Sequence, residues 1–116
     1  MKKCSPITSH VLDTSRGKPA AGVKIFLEYE NGGTWQKIGE GATNQDGRIE
    51  DLLKDGEILR KGSYRLRFSA DVYYQSLGQK TFYPGITITF SVDQPSEHYH
   101  VPLLLSPFGY STYRGS

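Results

Sequence analysis

Hydrophobic and polar residues alternate along most of the chain, and a spacing of two is the pattern of a β-strand with one buried face. The clearest example is the segment from Tyr64 to Ala70, where Leu66 and Phe68 alternate with Arg65 and Arg67. The same alternation predicts strands over residues 7–13, 23–30, 35–43, 64–70, 86–92, 98–105 and 110–116. Seven or eight short strands at regular spacing indicate an all-β fold, a Greek-key β-sandwich with both sheets facing one core.

Turn-forming residues separate the strands. Asn44 to Gly47 predicts a tight hairpin turn with Gly47 at positive φ, and Arg48 follows at its exit. One short helix is predicted over residues 72–77, with Asp71 as its cap, Gly78 at its end, and Tyr73 and Leu77 on one face. The polar residues 93–96 turn the chain between two strands, 86–92 and 98–105, which we expect to be adjacent.

Composition narrows the class of protein. A length of 116 residues suits one domain, and a net charge of +2 with dispersed Lys and Arg argues against a nucleic-acid partner. Cys4 is the only cysteine, which excludes an intrachain disulfide and a zinc site with two thiolates, and we expect it to be an exposed, passive thiol. No stretch is apolar enough for a signal peptide or a membrane span, so the expectation is a soluble cytoplasmic protein without a membrane partner.

Three histidines and one arginine are the candidates for chemistry. His98 and His100 form an H-x-H pair that projects to the face opposite Tyr99 and Val101, where it could bind a metal ion. Two ligands are too few for a metal site, and polar residues facing solvent explain the pair about equally well. His10 within a strand and Arg48 after a turn also have ordinary structural explanations. The residue pattern alone predicts a β-sandwich and leaves open whether the histidines have a function.

Two terminal segments carry a family resemblance. They are HVLD of residues 10–13 with GKPA of residues 17–20, and YHVPLLLSP of residues 99–107 continued by YSTYRGS of residues 110–116. The chain is similar to the transthyretin family along nearly its whole length. That family contains hormone carriers and hydroxyisourate hydrolases. The terminal YRGS, together with His10, Arg48 and His100, resembles the hydrolase branch.

The resemblance implies two four-stranded sheets and a homotetramer, a dimer of dimers with the active site at the dimer–dimer interface. It implies hydrolysis of 5-hydroxyisourate in urate degradation without a metal or organic cofactor. His10 or His100 would activate water, Arg48 would hold the anionic substrate, Ser116 would orient a histidine or the water, and Tyr113 would bound the substrate. The alternatives are a transthyretin-type carrier of a small aromatic ligand such as thyroid hormone, and an immunoglobulin-like adhesion module.

Overall fold

Two β-sheets pack face to face in the computed structural model, which describes residues 5–54 and 57–116. Cys4, expected as an exposed thiol, lies outside these residues. The elements in chain order are β1 Ile7–Asp13, β2 Lys18–Pro19, β3 Lys24–Asn31, β4 Thr34–Ala42, β5 Arg48–Ile49, β6 Gly62–Phe68, α1 Ala70–Ser76, β7 Ile86–Val92, β8 Tyr99–Ser106 and β9 Gly109–Thr112. One sheet has the order β2-β1-β8-β9 with β5 also paired to β1, and the other has the order β4-β3-β6-β7.

The predicted β-sandwich with one short helix is confirmed, with differences in the strand count. The first sheet has five strands rather than four because the two-residue strand β5 also pairs with β1. The prediction that strands 86–92 and 98–105 are adjacent is wrong, since β7 pairs with β6 and β8 pairs with β1 and β9. The turn between β7 and β8 carries the chain from one sheet to the other, and each strand then buries its apolar side against the facing sheet.

The core is formed by the inward side chains of both sheets. β1 and β8 contribute Val11, Leu103 and Leu105, and the opposite sheet contributes Leu27 and Leu66, all without exposed surface. Burying each such side chain stabilises the fold by roughly 1.5–3 kcal/mol. Their neighbours along each strand therefore project outward, which fixes the face on which the polar residues of β1 and β8 lie.

The helix begins earlier than predicted. Its N-cap is Ser69 and Asp71 lies in its first turn, so Asp71 is not the cap; its Oδ1 accepts the N–H of Val72 instead. The strand β6 ends at Phe68 and the chain enters the helix directly, which leaves no room for a cap at residue 71. The interior face holds Tyr73 and Tyr74, whereas Leu77, predicted to share a face with Tyr73, is 38% exposed.

The buried carboxylate of Asp13 joins the helix to β1. It accepts hydrogen bonds from the hydroxyls of Tyr73 at 2.9 Å and Tyr74 at 3.1 Å, and from the backbone and side chain of Ser15. Burial by itself would raise the pKa of Asp13, but these hydrogen bonds outweigh it and hold the pKa below its usual value. Asp13 thus stays ionised and anchors the end of β1.

The final strand is shorter than predicted. Instead of extending to residue 116, β9 ends at Thr112, and the chain returns to β8 only at an isolated bridge between Gly115 and His100. Across the described part of the chain, no helix has the length and apolar character that a membrane-spanning helix needs.

Candidate active site

The outer face of the five-stranded sheet gathers the predicted functional residues. In the parallel pair β1 and β8, Thr8 lies opposite His100 and His10 opposite Pro102. On the other edge of β1, Arg48 of β5 lies opposite His10. Because Val11 and Val101 point into the core, the side chains of His10 and His100 project to the other face. Three residues that are far apart in sequence therefore meet on adjacent strands.

The turn before β5 sets the position of Arg48. The Oδ1 atom of Asn44 accepts the backbone N–H groups of Asp46 and Arg48 at 2.9 and 3.0 Å. Gly47 has φ +74°, as predicted, and its carbonyl accepts the N–H of Val11 at 2.8 Å. A Cβ at residue 47 would lie 2.5 Å from the Val11 carbonyl oxygen. Position 47 therefore requires glycine. The turn holds Arg48 next to β1, the strand that carries His10.

The C-terminal residues close against His100. The N–H of Gly115 donates to the carbonyl of His100 at 2.8 Å. A Cβ at residue 115 would stand 2.6 Å from Cδ2 of the His100 ring, so the close approach requires glycine. This contact carries Ser116 into the same cavity as the imidazole.

A cavity of about 160 Å³ lies where these elements meet, and its lining is predominantly polar. The lining residues are Thr8, Ser9, Arg48, Glu50, His98, His100 and Ser116. His10 stands beside Arg48 without lining the cavity itself. Tyr113, predicted to bound the substrate, is 58% exposed and lines a separate cavity of about 220 Å³ with Tyr99 and Val101. Within one chain the structure therefore brings together four of the five predicted residues and leaves Tyr113 apart.

The electrostatic surroundings of His100 keep its ring neutral. Burial lowers the pKa of His100, and the neighbouring Arg48, His10 and His98 lower it further, whereas Glu50 acts in the opposite direction. A neutral imidazole near neutral pH is the form that can accept a proton. The site therefore combines a proton acceptor with a fixed cation, Arg48.

Four residues of the cavity were not selected as site residues from the sequence, namely Thr8, Ser9, Glu50 and His98. Of these, Thr8 and His98 contact each other. The hydroxyl oxygen of Thr8 lies 2.9 Å from Nε2 of His98 and 2.8 Å from Nδ1 of His100. The H-x-H spacing indicated that the two rings share a face, but not that a threonine of another strand stands between them. The alternation within β1 predicts that Thr8 and His10 share a face. The position of Thr8 opposite His100 depends instead on the pairing of β1 with β8, two strands distant in sequence.

The arrangement offers little for a metal ion. Within residues 5–54 and 57–116, no group of three His, Cys, Asp or Glu side chains is placed to share one. In the H-x-H pair, Nε2 of His98 and Nδ1 of His100 are each within hydrogen-bond distance of the Thr8 hydroxyl. The polar groups of the site suit proton transfer and the binding of an anion.

Comparison with known proteins identifies a matching family and similar chains. The model of the HIUase/Transthyretin family matches residues 7–115. The 5-hydroxyisourate hydrolase of Salmonella dublin is 44% identical over 110 residues, which cover 95% of this chain and 80% of the relative.

Two solved structures extend the likeness to the fold. The 5-hydroxyisourate hydrolase of Klebsiella pneumoniae superposes with a TM-score of 0.82 at 32% identity, covering 95% of this chain and 92% of that one. Sea bream transthyretin in complex with thyroxine has a TM-score of 0.88 at 30% identity, and the match covers 96% of this chain and 95% of that one. On sequence and on structure, the chain belongs to the HIUase/Transthyretin family.

Proposed function

We propose that this protein is an enzyme that hydrolyses 5-hydroxyisourate to 2-oxo-4-hydroxy-4-carboxy-5-ureidoimidazoline. The observation that carries the proposal is the meeting of His100, Arg48 and Ser116 in one polar cavity with His10 at its edge. The 44% identity to a hydrolase of this substrate over nearly the whole chain supports the choice of substrate.

His100 is the proposed general base. Its lowered pKa keeps the ring neutral near pH 7, so it can take a proton from a water molecule as the oxygen attacks the acyl carbon of the six-membered ring. The ring C–N bond then breaks, and the departing nitrogen receives a proton. The products are a carboxylate and a ureido group, and no metal or organic cofactor is needed for this step.

Arg48 and His10 are proposed to bind the substrate. The guanidinium is a cation that presents several donors in one plane, which suits a flat anionic ligand and the negative charge that develops on the acyl oxygen. His10, directly across the strand pair from Arg48, adds a polar ring to the same face. Ser116 brings a hydroxyl to the same cavity, which can orient the water or a histidine.

We propose that the working enzyme is a homotetramer, a dimer of dimers, in which this face of the sheet meets that of another protomer. An isologous contact presents each residue from both sides, so an open cavity in one chain becomes an enclosed cleft. Leu12 and Leu104 lie opposite each other on this face and are only partly buried in one chain, which supports its burial in an assembly. In that cleft Tyr113 is the proposed boundary of the substrate.

A carrier of thyroid hormone type is the second candidate, and the likeness to sea bream transthyretin with thyroxine favours it. A site for an aromatic, largely apolar ligand would have mainly hydrophobic and aromatic walls. Here the cavity holds Arg48, Glu50, His98 and His100 instead. The charge of the cavity therefore supports the hydrolase.

The test follows the decay of freshly generated 5-hydroxyisourate in the ultraviolet with wild type and three variants. We expect His10→Gln, Arg48→Lys and His100→Gln to lower turnover by roughly 10²–10⁴-fold, as expected for the loss of a general base or a charge-stabilising donor. Arg67→Lys, on the opposite sheet, is the matched control and should keep wild-type turnover. Decay no faster with wild-type protein than in buffer would refute the function, and full turnover in all three variants would refute the site.

A further inference from the structure

The hydroxyl of Thr8 joins the two rings of the H-x-H pair. Its oxygen is within hydrogen-bond distance of Nε2 of His98 and Nδ1 of His100, and the residue is 4% exposed. A hydroxyl has one hydrogen to donate, whereas its oxygen can accept others. With two neutral rings it therefore donates to one nitrogen and accepts an N–H from the other. The protonation of the two histidines is coupled through this one group.

Two arrangements satisfy these hydrogen bonds. In the first, Thr8 donates to Nδ1 of His100, so the neutral His100 ring carries its proton on Nε2 and has no free nitrogen for a water molecule. In the second, Nδ1–H of His100 donates to Thr8, and Thr8 donates to Nε2 of His98. The second arrangement leaves Nε2 of His100 unprotonated. Only this one makes His100 a base toward the cavity.

The protonated state of the site distinguishes the two arrangements. When His100 takes a proton from water, both ring nitrogens carry hydrogen, so Thr8 must accept from Nδ1 and can donate only to His98. The second arrangement already has this orientation, whereas the first would need the hydroxyl to turn during the reaction. Donors and acceptors that are in place before charge develops avoid this reorganisation.

We propose that Thr8 and His98 are positioning residues that hold His100 in the Nδ1–H tautomer, leaving Nε2 as the proton acceptor for hydrolysis. The assignment rests on the proposed function. Arg48, His10, Glu50 and the terminal residue Ser116 also face His100. The positive charge of Arg48 opposes proton uptake by the ring. Thr8, as an acceptor toward Nδ1, supports that uptake.

The kinetic test compares Thr8→Val, Thr8→Ser and His98→Ala with wild type. Thr8→Val keeps the shape of the side chain and removes its hydroxyl. We expect kcat to fall about 10–100-fold with little change in KM, which is the effect typical of losing a residue that orients a functional side chain. Thr8→Ser restores the hydroxyl and should recover kcat to within about threefold. His98→Ala should lower kcat by a smaller factor, since water can accept from Thr8 at this exposed position.

Thr14→Val is the matched control, because Thr14 directly follows β1 and its hydroxyl also bonds to β8, donating to the carbonyl of Leu105 at 3.1 Å. It should keep wild-type kcat, and thermal unfolding of each variant should establish that it is folded. Equal kcat for Thr8→Val and wild type, or equal losses in Thr8→Ser and Thr8→Val, would overturn the proposal.

A second measurement is independent of activity. Long-range ¹H–¹⁵N spectra report the tautomer of each of the three histidines, and we expect His100 of the wild type to carry its proton on Nδ1 and to lose this preference in Thr8→Val. A proton on Nε2 of wild-type His100 would overturn the proposal even if the enzyme is active. Wild-type protein without hydrolase activity would instead end the proposed function, while the spectra would still decide the tautomer.

Discussion

At the scale of single residues, the candidate site depends on one imidazole that lies beside the cation of Arg48. His100 is partly buried beside Arg48, His10 and His98, and its pKa is lowered by burial and then by these neighbours. The same cation that is proposed to hold the substrate thus keeps the base unprotonated. The predicted residues His10, Arg48, His100 and Ser116 were each named from the sequence, and their proposed roles stay predictions.

The pH dependence of kcat/KM follows from this arrangement. His100 accepts a proton only when neutral, so activity should fall as pH decreases through its pKa, which lies below the ordinary histidine value of about 6.5. We expect Glu50→Gln to move this acidic limb to still lower pH, because the charge of Glu50 raises the pKa of His100. Glu97→Gln, whose carboxylate pairs with Arg114 at 3.0 Å, is the control and should leave the limb in place. A limb above pH 6.5 in the wild type would contradict this account.

At the scale of elements, β1 organises the molecule. It pairs with β2, β5 and β8, and its last residue, Asp13, anchors the helix α1 through two tyrosine hydroxyls. The turn that begins at Asn44 is fastened to β1 through the carbonyl of Gly47. The position of Arg48 relative to His10 therefore depends on one turn and one strand.

Gly47→Ala tests this dependence. The new Cβ would meet the Val11 carbonyl at 2.5 Å in a backbone conformation that favours glycine, so we expect the free energy of unfolding to fall by about 1–3 kcal/mol and kcat/KM to fall with it. Chemical denaturation and the hydroxyisourate assay measure the two effects. Gly17→Ala is the matched control, since Gly17 also has positive φ at +66° but nothing stands within 4 Å of its Cβ position. Gly17→Ala should lower the free energy of unfolding by less than Gly47→Ala and leave kcat/KM unchanged. Equal kcat/KM in the two variants would contradict the proposed role of the turn in positioning Arg48.

At the scale of the whole molecule, the outer face of the five-stranded sheet is the proposed functional surface. The cavity is open in a single chain, and the partly buried pair Leu12 and Leu104 lies beyond His10 on the same two strands. Burial of this face in a homotetramer would enclose the polar cavity and exclude water, which strengthens the electrostatic interactions inside it.

Leu104→Glu tests the assembly. A carboxylate buried against its symmetry mate is strongly unfavourable, so we expect the variant to lose the tetramer and most of its activity while each protomer stays folded. Sedimentation velocity gives the mass and circular dichroism the fold. Val72→Glu places the same charge on an exposed position of α1 and should remain a tetramer. A wild type that sediments as a single chain would refute the proposed assembly.

The sequence by itself determined the strands and their faces. Alternation is a local property, so it located β1, β6 and β7 and placed His98 and His100 opposite Tyr99 and Val101. The positive φ of Gly47 was likewise predictable, because the conformation of a tight turn depends on the turn residues themselves.

Only the tertiary structure decided which strands are neighbours. The parallel pairing of β1 with β8, and the passage from β7 into the other sheet, depend on contacts between residues distant in sequence that no local pattern records. That pairing brings Thr8 between His98 and His100, while the early end of β9 leaves Tyr113 in a different cavity from His100. The sequence states which residue types are present. The distances between the site residues depend on how the two sheets pack around one core.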